Sequence, residues 1–362
     1  MVVGGAALAR GADGRIVFVH GGLPDETVDV EVRSVKKDFA VADVVAVVEA
    51  SPDRVEPPCE AWHRGCGGCD WQHIDPAAQL RLKVAIVREA LTRTGRLVDP
   101  VVTSGGSVSP WGYRTTIRVA DAGGGRVGFR SRRSHAVVPV DQCPVAAPSL
   151  NAMLSKAHAD RDGDLMLRVS LACGPGNGAI EEVVDGRRLR VSAPSFFQSS
   201  PEAAELLVDA VREAAAGVTM EDATVIDAYG GVGLFAATVA AGARHVIVVE
   251  SSPSACADAR VNLQGRSAEV IETRMENWTP VRADLVVADP ARNGLERDGV
   301  ARVVATGAPV IVLVSCDAGS VARDARLLTE QGYAHDGTAV IDVFPNTSHI
   351  EAVTRFVLDR VP

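Results

Sequence analysis

From residue 192 onward the chain alternates between short, nearly unbroken apolar runs and longer mixed stretches. The runs at 224–227, 245–250, 269–271, 284–288, 310–315, 338–343 and 352–358 are rich in Val, Ile and Ala, and most give way to polar residues. Continuous apolar runs of this length read as strands covered on both faces, with helices filling the intervals. Seven such strands predict a doubly wound α/β sheet. The first fifty residues follow a different rhythm. Segments 15–20, 27–32 and 40–45 alternate partly between apolar and polar positions and are separated by glycine or charged turns, which predicts a small all-β barrel. The proline-bearing stretch 51–58 is a linker, because proline blocks both ladder and helix hydrogen bonding. After Asp75-Pro76, which reads as a cap and first turn, Leu80, Val84, Val87 and Leu91 recur at helical spacing until Gly95. A helix over 76–94 with an apolar core stripe follows. Residues 107–188 are glycine-punctuated and strand-rich. The pattern therefore divides the chain into a barrel at 1–53, a central β-rich unit at 54–188 and an α/β unit at 189–362, on which the 76–94 helix is able to pack.

A chain of 362 residues that is 47% hydrophobic can bury more than one core. No apolar run approaches the roughly 20 residues needed to span a bilayer, and the start lacks a basic segment followed by an apolar one. A cytoplasmic protein with no membrane association is expected, and nothing implies an obligate protein partner. Seven cysteines at uneven spacing argue for metal binding or catalysis rather than a disulfide framework. The net charge of −9 speaks against a nucleic-acid partner only until it is divided: the three units carry −4, +4 and −9. Within the middle one, Arg114, Arg118, Arg126, Arg130, Arg132 and Arg133 face a single acid, Asp121, between 113 and 135. Such an island suits a phosphate backbone, and equally a solvated hairpin face.

Candidate chemistry gathers where the apolar runs end. Val310 to Ser315 gives way to Cys316, Leu285-Val286-Val287-Ala288 to Asp289-Pro290-Ala291-Arg292, and the first run of the sheet to Tyr229-Gly230-Gly231-Val232-Gly233. Open α/β sheets bind ligands and place chemistry at the carboxyl ends of their strands. Gly231 and Gly233 fit a G-x-G-x-x-[GA] turn, and Glu250 ends the next strand at the distance expected of an acid that accepts ribose hydroxyls. A dinucleotide and an adenosyl cofactor both satisfy that pattern. The thiol discriminates between them. Hydride transfer by an NAD(P)-dependent oxidoreductase needs no cysteine nucleophile, whereas methylating C5 of uracil does. A thiolate that adds to C6 makes C5 carbanion-like toward an electrophilic methyl group, and a base must then remove the C5 proton so that the thiol can leave. Cys316, Glu351 and the glycine turn with Glu250 would supply the nucleophile, the base and the donor site.

A second constellation, Cys59-x6-Cys66-x2-Cys69, is completed to four thiols by the distant Cys143. Four cysteines suit tetrahedral zinc or an iron-sulfur cluster, and spacing does not choose between them. Cys173 and Cys256 lack partners at informative spacing and read as packing residues. His349 reads as structural.

Five ordered segments resemble the uracil-C5 RNA methyltransferases that make 5-methyluridine in ribosomal and transfer RNA. They are Ser195-Phe196-Phe197-Gln198, Asp227 to Phe235, Asp289 to Gly294, Val314-Ser315-Cys316-Asp317 with Ala322-Arg323-Asp324, and Phe344 to Glu351. The resemblance implies an α/β fold with a class I methyltransferase Rossmann-like sheet. It further implies Cys316 as nucleophile and Glu351 as C5 proton acceptor, with Gln198, Tyr229, Glu250 and Asp289 lining the S-adenosylmethionine and uracil pocket. Through Gly65 to His73 and Cys143 it extends to the cluster-bearing branch, which implies a [4Fe-4S] cluster, with zinc as the alternative. Gly22 to Glu26 and Val35 to Ala40 resemble the RNA-binding TRAM module, in which Phe39 beside Lys36 and Lys37 offers a local platform for a base. RNA is the implied partner, ribosomal RNA before transfer RNA because cluster and TRAM module occur together. Two positions depart from the family pattern, Leu234 where many members carry asparagine and Asp317-Ala318-Gly319 after the cysteine. Two alternatives of other classes stand beside this reading: the oxidoreductase, and a metal-bearing RNA-binding protein without activity.

Overall fold

The computed structural model of the chain describes residues 1–158, 164–170 and 178–359, so Cys173 lies outside the described residues. In chain order the elements begin with strands β1 (Ala7–Arg10), β2 (Ile16–His20), β3 (Thr27–Val35) and β4 (Phe39–Glu49), the short helix α1 (Glu60–His63) and the long helix α2 (Pro76–Arg93). There follow β5 (Val102–Ser107), β6 (Thr116–Gly123), β7 (Arg126–Arg130), β8 (Val137–Pro139), α3 (Pro148–Leu154), β9 (Leu165–Arg168), β10 (Ala179–Val184) and β11 (Arg187–Ser192). The last part comprises α4 (Pro201–Ala214), β12 (Thr224–Ala228), α5 (Leu234–Ala237), β13 (His245–Glu250), α6 (Pro253–Asn262), β14 (Ala268–Glu272), β15 (Leu285–Ala288), α7 (Glu296–Val304), β16 (Val310–Ser315), α8 (Ala318–Thr329), β17 (Tyr333–Asp342) and β18 (Glu351–Leu358). No helix among the described residues is long and apolar enough to cross a membrane.

The chain forms two compact units, one from 1–86, 109–167 and 344–349, the other from 87–108, 168–343 and 350 onward. In the first, the three alternating segments become β2, β3 and β4, joined with β1 in a sheet of order β1-β2-β4-β3 around Ala7, Val19, Ala40 and Ala42. A second sheet, β8-β7-β6-β9, carries the glycine-punctuated middle of the chain. The helix forms at 76–93 as its spacing predicts, but its buried face differs. Leu80 and Val84 are only half-buried, while Ala78, Gln79, Leu82 and Lys83 are buried. Two polar residues sit on the inner face because each has partners there. The Gln79 amide donates to the carbonyl of Ile74 at 2.9 Å and accepts from the Asn346 backbone at 2.6 Å, and Lys83 Nζ donates to the Phe344 carbonyl at 3.1 Å. A buried polar group is tolerated only when it is hydrogen-bonded in this way, and an apolar pattern cannot reveal it.

The second unit is built on an eight-stranded sheet of order β14-β13-β12-β15-β16-β18-β17-β5. The five strands from β14 to β16 run parallel, and β18 is antiparallel to both β16 and β17. All seven apolar runs become strands of it, and the fully buried Val310–Ser315 and Leu285–Ala288 lie at its centre. The eighth strand, β5, pairs parallel with β17 and was not foreseen. Its sequence, Val-Thr-Ser-Gly-Gly-Ser, has no apolar run, as suits an edge strand. The hairpin β10–β11 stands apart from this sheet.

Candidate active site

Strand register brings the predicted residues to one end of the sheet. Ala228 on β12 lies opposite Val249 on β13 and Ala288 on β15; Ala288 lies opposite Leu313 on β16, and Ser315 opposite Ala352 on β18. The glycine turn after β12, Glu250 at the end of β13, Asp289 after β15 and Cys316 after β16 therefore leave the sheet at a common edge. There the antiparallel β18 begins, with Glu351. A carboxylate that looks solvated in sequence is thus only 4% exposed.

The turn after β12 is backbone-strained. Tyr229 takes φ of 59° and Gly231 of 55°, left-handed values that a side chain disfavours at the first position and glycine accommodates at the second. The Glu250 carboxylate reaches back over this turn, accepting from Gly231 N at 3.0 Å and from Ser251 N and Ser252 N at 2.7 Å. An acid fixed by three backbone donors at a glycine turn suits ribose hydroxyls, and the donor set fits an adenosyl group. Beneath the turn Asp227 is fully buried, accepts from Ala236 N at 2.8 Å through one oxygen and leaves the other without a partner. Burial pushes its carboxyl up to about 8.

Acids and thiol at the edge perturb one another. Burial raises the Cys316 thiol to about 11, Glu351 and Asp289 add to the rise, and Arg292 opposes it. Burial lifts Asp289 to about 7, and burial with the neighbouring Asp289 charge carries Glu351 well above the ordinary carboxylate range. Two carboxyls in one low-dielectric site cannot both ionise cheaply, so they titrate as a pair. Clustered, strongly perturbed groups of this kind mark functional sites.

Three acids with no role in the sequence reading position this edge. Asp258 on α6 accepts from Ser195 Oγ at 2.7 Å, Ser192 N at 2.8 Å and Arg190 Nε at 2.9 Å, tying down the segment that delivers the buried Gln198. Burial alone would raise its carboxyl, yet the hydrogen bonds hold it below the usual range. Phe196 in the same segment is 72% exposed. Asp324 on α8 accepts from Leu295 N at 2.7 Å, and Arg323 donates to the Asn293 carbonyl, so α8 grips the loop that follows Asp289. Gly294 is required there, since its φ of 74° is left-handed and a Cβ would overlap the Asp324 carboxylate. Asp317 caps α8, accepting from Ser320 N at 2.9 Å, which gives the departure at 317–319 a structural role. Leu234 is buried, and Cys256 is a packing residue whose thiol donates to the Glu250 carbonyl at 3.4 Å.

The four remaining cysteines of interest all belong to the other unit and are free thiols, with Cys59, Cys66 and Cys69 buried and Cys143 half-buried. Burial raises Cys69 to about 12, against a hydrogen bond from Gln72, and raises Cys66 and Cys143 against backbone N–H groups of Gly68, Val145 and Ala146. Polar donors aimed at buried sulfurs fit thiolates holding a metal or cluster, since both require deprotonated sulfur. Among the described residues, however, no three His, Cys, Asp or Glu side chains converge closely enough to hold one ion. The arginine island is largely committed: Arg126 pairs with Asp141 at 3.3 Å, Arg130 with Asp164 at 2.8 Å and Arg133 with Asp43 at 2.7 Å. Phe39 keeps an exposed face and meets Phe18 edge-on at 5.5 Å between centroids.

Comparison with known proteins places this geometry. Residues 4–45 match the TRAM domain family. A protein of Gloeobacter violaceus named as an uncharacterized RNA methyltransferase is 31% identical over 98% of this chain and 94% of its own length. One of Streptomyces avermitilis with the same name is 33% identical over 97% and 94%. Among solved structures, the Pyrococcus abyssi tRNA (uracil-54, C5)-methyltransferase in complex with S-adenosyl-L-homocysteine superposes with a TM-score of 0.75, at 24% identity, over 98% of this chain and 100% of that one. This chain has the class I methyltransferase fold of that neighbour together with an N-terminal TRAM domain.

Proposed function

Because this chain belongs to the TRAM-bearing RNA methyltransferases, we propose that it transfers a methyl group from S-adenosylmethionine to C5 of a uridine in structured RNA. The observation that carries the reading is the register that sets Cys316, at the end of β16, beside Glu351, at the start of antiparallel β18, with Asp289 one strand away. Neither oxidation nor simple RNA binding calls for a half-buried thiol flanked by two carboxyls of raised basicity.

Once ionised, Cys316 Sγ adds to C6 of the uracil, which turns C5 into a carbon nucleophile. Bound S-adenosylmethionine supplies the electrophilic methyl group that C5 takes up. Glu351, whose raised pKa makes its ionised form a stronger base than an ordinary carboxylate, then removes the C5 proton, and the C6–S bond breaks to return the thiolate. Gln198, Tyr229, Gly231, Gly233, Glu250 and Asp289 hold cofactor and base in register. A uridine splayed out of its stack is the form in which C6 becomes accessible to the thiol.

In the same reading the protein has three functional parts, 1–53, 54–188 and 189–362. Cys59, Cys66, Cys69 and Cys143, which do not converge in this structure, are the residues that would have to draw together to hold a [4Fe-4S] cluster, or zinc in its place. Methylation transfers no net electrons, so the group supplies structure rather than redox chemistry. Ribosomal RNA is the first candidate substrate, from the joint presence of TRAM module and four-cysteine motif. Transfer RNA is the second, favoured by the substrate for which the Pyrococcus neighbour is named. Incubating the enzyme and labelled donor with each RNA class separately, and mapping 5-methyluridine in the products, tests both. Label in neither class, or label at a position other than C5, contradicts the proposal.

A further inference from the structure

We propose that the first unit carries a second base-binding pocket, which captures one unpaired nucleobase of the RNA strand away from the base being methylated. The inference rests on the RNA-methyltransferase membership, not on the C5 chemistry. A cavity of about 540 Å³, lined entirely by residues of that unit, opens between the β2–β4 strands, the cysteine loop and the segment 347–349. Its volume lies in the range of small-ligand sites, roughly 300–1,000 Å³.

The decisive feature is His73. Its side chain lines the cavity, the residue is 2% exposed, and neither ring nitrogen has a hydrogen-bond partner. A buried imidazole left without partners costs free energy, and a base edge reaching it from the cavity would satisfy one of its two nitrogens. Trp62 supplies an aromatic wall already stacked beneath Arg132, whose guanidinium carbon lies 4.1 Å from the ring centroid. Arg132 is fixed by donating to the Cys66 and Trp62 carbonyls at 3.2 Å each. His20 lines the opposite strand.

Charge selects the class of ligand. Arg54 is paired with Glu26 at 2.7 Å, Asp43 is shared by Arg133 and Arg33 at 2.7 Å each with Glu31 3.2 Å from Arg33, and Arg132 and Asp70 are the remaining charges of the lining. An isolated phosphate would find no net positive field. A nucleobase is neutral, planar and edged with donors and acceptors, which matches a rigid pocket holding an imidazole, a carboxylate and a stacked guanidinium. Arg133 keeps an exposed flank at the rim, where the strand's backbone would pass.

The test compares a short all-adenosine RNA, which offers no uridine to the methylation site, with an abasic strand of equal length and charge. Each is titrated onto the full chain purified without oxygen. The adenosine strand should bind about tenfold more tightly, the loss expected when a base no longer satisfies buried polar groups. His73→Phe and His20→Ala should each shrink that ratio toward one while leaving S-adenosylhomocysteine affinity unchanged. Should His73→Phe fail to fold, the His20→Ala variant and the wild-type ratio still decide. Equal affinity for the two strands, displacement by inorganic phosphate alone, or a ratio unaltered in the variants overturns the proposal. Failure of uridine methylation with the ratio intact counts against the C5 reading and leaves the pocket standing.

Discussion

At the scale of single residues, the account turns on protons. Cys316 carries its proton more tightly than an ordinary thiol, up to about 11, and Glu351 more tightly than an ordinary acid, so turnover should climb as pH is raised above neutral toward the ionisation of the thiol. Cys316→Ala should abolish turnover while S-adenosylhomocysteine binds as before; retained turnover would remove the covalent route. Glu351→Gln should slow turnover by about 10²–10⁴-fold and leave RNA covalently attached to the protein, visible as a slow band on a denaturing gel. Full activity with no trapped species would take Glu351 out of the role. Cys316 was legible because it follows Ser315 at the end of a run of five apolar residues, Val310 to Val314. Glu351 was legible only through its motif, for nothing in Ile350-Glu351-Ala352 says that β18 buries its first residue. Asp258 and Asp324 were illegible as positioning groups, because their partners, Ser192, Ser195 and Leu295, lie some 29 to 66 residues away in sequence.

Among elements, the sheet was the easiest part to foresee and its surroundings the hardest. Seven strands covered on both faces announce themselves as apolar runs, whereas β5, made of small and polar residues, is recruited by pairing with β17. Helix α2 shows the same limit from another side, since Gln79 and Lys83 face inward on the strength of hydrogen bonds to distant backbone. Two predictions belong here. Asp317→Ala removes the cap of α8 and should lower stability by about 1 kcal/mol in chemical denaturation, with a larger proportional loss of turnover because Cys316 adjoins the cap. An unchanged denaturation midpoint would contradict the capping role. Asp227 lies under the cofactor turn with its pKa raised from the ordinary 3.8 to about 8. A raised folded-state value means its stabilising contribution is complete below the ordinary carboxylate range and is lost as pH rises through about 8. The melting temperature of the cofactor-free protein should therefore fall between about pH 5 and about pH 8, and Asp227→Asn should flatten that fall. An identical pH profile in the variant would show the carboxyl to be ionised in the fold.

For the whole molecule, charge proved a poor guide by itself. The −9 total hides a basic middle segment, and three of the six arginines of its island, Arg126, Arg130 and Arg133, turn out to neutralise acids, Asp43 of the barrel among them, rather than to await phosphate. Recognition of RNA on this account falls to shaped, charge-balanced surfaces such as the pocket around His73. The cysteine site is open to direct chemical assay: protein isolated without oxygen should be brown and contain iron and acid-labile sulfide, and colourless, zinc-loaded protein would overturn the cluster. In the proposed reaction sulfur adds to uracil so that C5 gains a methyl group and loses its hydrogen. Transcripts carrying tritium at C5 of uridine report that loss directly. Incubated with the enzyme and S-adenosylmethionine, they should release tritium to water in step with methyl incorporation; methyl incorporation with all tritium retained in the RNA would contradict the mechanism.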